Sequence, residues 1–221
     1  MSSSDRRDIL EFLGGLRDNN NREWFEANRP RYEEARACFL GLVGDLLAAF
    51  DPVDDLGGVT VKDCVFRINR DLRFSNDKSP YKTAMSALLG RGGRKSVGRT
   101  YYFHIEPDGR SILAGGLYDP SSSQLGKMRQ ALAEDAMPLK KIARAPDFAR
   151  YFGTIGGESL KTAPQGYPKD HPDIELLRLK QFMAIHRLDD DTLCSDDLIP
   201  RVMTVFRAMK PFVAYVESVV A

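Results

Sequence analysis

The sequence predicts an α+β fold, with a central antiparallel sheet of about residues 59–118 packed by helices from both ends of the chain. Three observations carry that prediction. Near the N-terminus Ile9, Leu10, Phe12, Leu13 and Leu16 recur at helical spacing and form one apolar stripe. In the middle of the chain the period changes to two: Tyr101, Phe103 and Ile105 alternate with Tyr102, His104 and Glu106, and Pro107-Asp108-Gly109-Arg110 supplies hairpin turn chemistry. From Ser121 the texture turns helical again, and helices at the C-terminus can close over the sheet. There is no internal repeat, low-complexity segment or heptad run, so one domain spanning residues 1–221 is the economical organisation.

Each element has a local reason. Residues 4–17 read as the first helix, capped by Ser4 or Asp5. The run Asp18-Asn19-Asn20-Asn21 ends it, because these side chains tolerate left-handed backbone and bond to their own main chain. Residues 22–50 read as one long helix with a possible break near Pro30, and its aromatic stripe through Trp24, Phe25, Tyr32 and Phe39 suits packing. A linker of Pro, Asp and Gly at 51–58 leads to the sheet. Residues 59–74 read as one or two strands, and 84–89 fit a strand or a helical turn equally well. Gly115 and Gly116 inside the hairpin mark a bulge or a close approach of another group to the backbone. Helices follow near 121–133, 138–145 and 147–151. The stretch 153–172 is loop-rich and long, the kind of segment that often carries function. Residues 173–186 and 196–220 read as helices, the last with a break at Lys210-Pro211.

Composition limits the classes of function. The 32 Lys plus Arg against 31 Asp plus Glu leave a formal charge of +1, so no global field favours nucleic acid and any anion site must be local. Cys38, Cys64 and Cys194 lack CxxC or Cys/His spacing, which suits small core residues in a reducing compartment and argues against a zinc site. No apolar run approaches the ~20 residues that cross a bilayer, and MSSSDRRDILEFL lacks the apolar region of a signal peptide. A cytoplasmic protein without membrane attachment is the expectation.

The densest chemistry lies at residues 66–83, FRINRDLRFSNDKSPYKT. Read as a strand, this segment sends Phe66, Ile68 and Leu72 to one face and Arg67, Asn69, Asp71 and Arg73 to the other. Joined with Arg70, Lys78, Tyr81 and Lys82, and with Lys161, Tyr167, Lys169 and His171 from the late loop, it makes a candidate ligand-binding set in which cations outnumber carboxylates. Arg offers a planar fork and Lys a compact charge, so a phosphate or carboxylate group fits. Asp71 and Asp77 could instead neutralise these cations in surface ion pairs, each worth about 0–1 kcal/mol. His104 and Glu106, two apart on a strand, share a face and form the candidate catalytic acid/base pair. The same two could begin a metal site, but a third ligand at recognisable spacing is missing. His171, before Pro172 and a helix start, also fits a turn or cap. The basic loop Arg91-Gly92-Gly93-Arg94-Lys95-Ser96 matches neither the P-loop nor the dinucleotide fingerprint. There is no GxSxG motif.

Five stretches together resemble the domain-of-unknown-function family numbered 2461: NNNREWF at 19–25, FRINRDLRFS at 66–75, DKSPYKT at 77–83, YFHIEP at 102–107 and GYPKDHP at 166–172. The resemblance implies that residues 82–89 form a sheet strand. It brings no established activity, cofactor or catalytic residue to carry over.

Two classes of function follow from the residues. One is a protein with a basic pocket for an anionic small molecule, with His104 or Glu106 able to move a proton and so make it an enzyme. The other is a non-catalytic module for nucleic acid or a protein partner, less favoured by the near-neutral charge, with Tyr81, Tyr102 and Tyr167 as stacking platforms. A concave pocket with His104 and Glu106 at its base distinguishes the first. The sequence names no cofactor and leaves the oligomeric state open.

Overall fold

A computed structural model describes residues 2–50, 52–71, 73, 77–96 and 100–221. Helix α1, Ser3–Asp18, opens on a capping box in which Ser2 and Asp5 bond each other's backbone. The three asparagines that follow divide the work of the turn. Asn19 Nδ2 donates to Gly15 O at 3.0 Å, Asn20 reaches across to Tyr81, and Asn21 caps α2, Arg22–Ala27, by accepting from Trp24 N at 2.8 Å. Helix α3, Arg29–Ala48, begins after Asn28 with Pro30 in its first turn, where a missing N–H costs nothing.

Residues 59–74 do not start as a strand. Thr60 and Asp63 form a capping box that nucleates a short helix, α4, Val61–Cys64. The chain then extends over residues 65–71 and makes only isolated bridges, Val65 to Ala87 and Asn69 to Tyr81. Leu72, Phe74, Ser75 and Asn76 lie outside the described residues.

The sheet is an antiparallel meander in the order β1-β2-β3-β4, formed by Met85–Leu89, Tyr101–Ile105, Ser111–Leu117 and Phe182–Leu188. Strands β2 and β3 are the hairpin expected from the sequence, turned by Asp108 and Gly109, both at φ +66°. Asp190 holds that turn by accepting from both of these backbone N–H groups at 3.0 Å. Strand β4 replaces the second half of the helix read at 173–186, of which only the short α8, Ile174–Leu177, is helical. Between β3 and α8 run α5, Ser122–Glu134, α6, Met137–Arg144, and α7, Pro146–Phe152. After β4 come α9, Asp190–Cys194, and α10, Leu198–Val220.

One face of the sheet is core. Tyr101, Phe103, Ile105, Leu113, Phe182 and Ala184 are fully buried on it. Phe103 stacks on Phe39 of α3, and Tyr101 meets Phe206 of α10 edge to face. Helix α10 comes so close that a Cβ on Gly115 would run into Met209 Sδ, the close backbone approach anticipated for this glycine. Helix α10 does not break at Pro211. Phe206, Met209, Phe212 and Val213 are all buried around that residue, while Pro211 itself faces solvent. Among the described residues no helix is long and apolar enough to cross a membrane.

Candidate functional site

The other face of the sheet carries the site. Register places Ser86, His104, Ile112 and Arg187 in one row across the four strands, and Leu88, Tyr102, Ala114 and Ile185 in the next. These rows, Arg187 apart, floor a cavity of about 690 Å³. A smaller cavity of about 300 Å³ adjoins it, lined by Arg70, Thr83, Ala84 and Glu106, and the two share Lys82, Ser86, Tyr102 and His104. Phe66, Tyr118, Asp119 and Gln124 stand around the larger one.

Lys82 reaches this place through the edge of the sheet. Its N–H donates to Ile68 O at 2.8 Å, and Phe66 N donates to Ser86 O at 2.9 Å, so the extended 65–71 segment runs alongside the residues that precede β1 and β1 itself. Consecutive side chains then point opposite ways. Tyr81 goes inward, stacked on Phe25 with centroids 4.0 Å apart, and Lys82 goes outward to the cavity. Its ammonium sits 5.3 Å from the centroid of the Phe66 ring. Burial, with Arg67 as a lesser cause, pulls its pKa below the ordinary lysine value. Among the described residues it has no carboxylate partner.

A chain of hydrogen bonds runs along β2. The Tyr102 hydroxyl lies 3.1 Å from His104 Nδ1, His104 Nε2 lies 3.1 Å from Glu106 Oε2, and Arg110 Nη2 approaches Glu106 Oε1 at 3.1 Å. A carboxylate only accepts, so Nε2 carries the imidazole proton of neutral His104 and Nδ1 accepts from Tyr102. Burial raises the Tyr102 pKa, with hydrogen bonding to Ser86 opposing it, which keeps the phenol protonated at neutral pH.

The other residues read from the sequence fall elsewhere. Arg73 is exposed and forked onto Asp71 at 3.0 and 2.6 Å. Arg70 borders the smaller cavity but is paired with Asp77, whose carboxylate is held well below the usual range by Ser79 and by that arginine. Arg67, Asn69 and Lys78 are exposed and line neither cavity. Lys161, Tyr167, Lys169 and His171 are likewise absent from both walls. Tyr167 packs against the core, and His171 Nδ1 accepts from Asp173 N at 3.0 Å, a turn-capping role. In the basic loop Arg94 donates to Lys62 O and Asp63 O at 3.1 Å, while Arg91 pairs with Asp55. Burial pushes the Cys64 thiol up to about 11, which makes it a poor nucleophile at neutral pH. Among the described residues no cluster of three or more His, Cys, Asp or Glu side chains could hold a metal ion.

Sequence reasoning passed over Ser86, Leu88, Ile112, Ala114 and Ile185, and took Phe66 for core. For the hairpin residues a signal existed. Once Tyr102 and His104 are placed on an open face, the residues opposite them, Ala114 and Ile112, must share it.

Fold and pocket together define an α+β protein whose four-stranded antiparallel meander is packed by helices on one face and hollowed into a polar-ended pocket on the other. The family model described as "Conserved hypothetical protein (DUF2461)" matches residues 8–215, and the chain belongs to that family. No curated protein and no solved structure matches it.

Proposed function

We propose that the protein binds a small anionic molecule, bearing a carboxylate or phosphate, with that group seated at Lys82. Lys82 itself carries this reading. A half-buried ammonium on the wall of both cavities, without a carboxylate partner among the described residues, has lost hydration that no ion pair replaces. A bound anion removes that deficit. Arg70, on the wall of the smaller cavity, can turn from Asp77 toward the same group. A volume of about 690 Å³ is that of a small-molecule pocket, which favours such a ligand over a nucleic-acid strip.

The Tyr102, His104, Glu106 chain supports a catalytic use of the same pocket. The phenol faces the shared wall of the two cavities, and the imidazole behind it can receive its proton, with Glu106 stabilising the imidazolium. A ligand group at Lys82 that needs a proton delivered or removed would meet Tyr102.

The test compares wild type with Lys82→Met, which keeps most of the apolar stem and deletes the charge. Acetate, inorganic phosphate and their small organic derivatives should raise the thermal midpoint of wild type and leave the variant unmoved. Equal shifts in both proteins, or none in wild type, would remove the reading.

A further inference from the structure

We infer that the ligand is an amphiphile, a carboxylate or phosphate monoester whose apolar body lies across the floor of the sheet; this rests on the anion site proposed at Lys82. The register sets Leu88, Tyr102, Ala114 and Ile185 in a line over four strands, a track of three interstrand spacings or about 14 Å. Among the described residues that line the larger cavity, the cation Lys82 stands at the β1 and β2 end, and the carboxylate of Asp119 borders the cavity next to Tyr118 in the chain. At the other end the floor of the track is formed by the apolar side chains of Ala114 and Ile185. Among the described residues three large apolar side chains are strongly exposed, and two of them, Tyr118 at 69% and Ile185 at 46%, border this one cavity. Two such side chains converging on a single pocket form a patch that a folded protein otherwise keeps small. The small side chain of Ala114 keeps the middle of the track low enough for a ligand to lie across it. Bare phosphate or a sugar phosphate would use the cationic end and leave this surface in water. An alkyl or aryl chain attached to the anion would cover it.

Isothermal titration of the full chain with unbranched carboxylates from acetate to dodecanoate, and with the matching monoalkyl phosphates, tests this below the concentrations at which they form micelles. Affinity should climb by about fourfold per methylene until the track is filled and then level off. The headgroup series that binds more tightly at equal chain length identifies whether carboxylate or phosphate is preferred. Ile185→Glu changes an exposed position, which a melting curve can show to be folded, and should flatten the climb with chain length relative to the wild type. Tyr118→Ala, also at the surface, should lower the plateau. If short anions bind through Lys82 but affinity does not grow with chain length, or grows equally in Ile185→Glu, the amphiphile is wrong and the anion site stands. Absence of binding at every length overturns both.

Discussion

Asn20 grips Tyr81 through both ends of its amide, Nδ2 donating to Tyr81 O at 3.0 Å and Oδ1 accepting from Tyr81 N at 3.1 Å. The side chain thereby acts as a one-residue strand partner at the point where the chain enters the sheet. It also decides which neighbour points where: with the Tyr81 ring held against Phe25, Lys82 has only the cavity side available. Asn20→Ala leaves two partly buried main-chain groups unpaired and should cost about 1–3 kcal/mol. Urea melts should show a lower midpoint with an unchanged slope. Asn20→Asp keeps the acceptor but loses the donor and should fall between the two.

Anion affinity should be lost on the alkaline side earlier than an ordinary lysine would allow. The proposed anion would require the ammonium form, and burial has moved the Lys82 pKa below 10.5. Binding is therefore complete below the shifted value and declines as pH rises through it, before 10.5 is reached. A titration of affinity against pH checks the sign. A midpoint above 10.5 in the free protein would contradict the burial argument.

The hydrogen-bond chain on β2 fixes a tautomer that can be seen directly. Glu106 is an obligate acceptor toward His104 Nε2, so neutral His104 should show Nε2–H and an unprotonated Nδ1 in imidazole nitrogen spectra. Tyr102→Phe removes the donor to Nδ1 and should cost about 1 kcal/mol. In that variant Glu106 should still hold the Nε2–H tautomer. A wild-type Nδ1–H signal would reverse the direction of the chain and remove Tyr102 as proton donor.

What was legible in the sequence follows from which residues meet different environments on their two sides. In β2 the alternation is clean because Tyr101, Phe103 and Ile105 are buried in core while Tyr102 and His104 line the cavity. In β4 it is hidden. Phe182, Met183 and Ala184 are all buried, since Met183 on the cavity side is also covered by its bridge to Gly156, and three successive buried residues carry no period. Asp189 then caps a new helix by accepting from Thr192 N at 2.6 Å, which ends the preceding element by residue 188 whether it is helix or strand. The candidate site divides in the same way. Lys82, His104 and Glu106 announce themselves by residue type. Leu88 and Ile185 become site residues only through the register of β1 and β4 against the hairpin, which side-chain chemistry does not encode. Within the cationic run at 66–83, Asp71 and Asp77 lie close enough along the chain to take Arg73 and Arg70, while Lys82 turns into the cavity and has no carboxylate partner among the described residues.

Pro211 shows packing overruling local preference, and the cost of doing so can be measured. A proline inside a helix removes the hydrogen bond to the carbonyl four residues earlier, here Arg207, and crowds that carbonyl. Arg207 is exposed, so water can satisfy the freed oxygen, and the buried residues on either side of Pro211 hold α10 against the sheet and α5 to α7. None of this abolishes the local penalty. Pro211→Ala restores the N–H on a solvent-facing position without touching the core and should stabilise the protein by about 1–3 kcal/mol. The thermal midpoint should rise, and ligand affinity should not change because Pro211 lines neither cavity. A neutral or lower midpoint would mean that the proline rigidifies the unfolded chain by as much as it strains the helix.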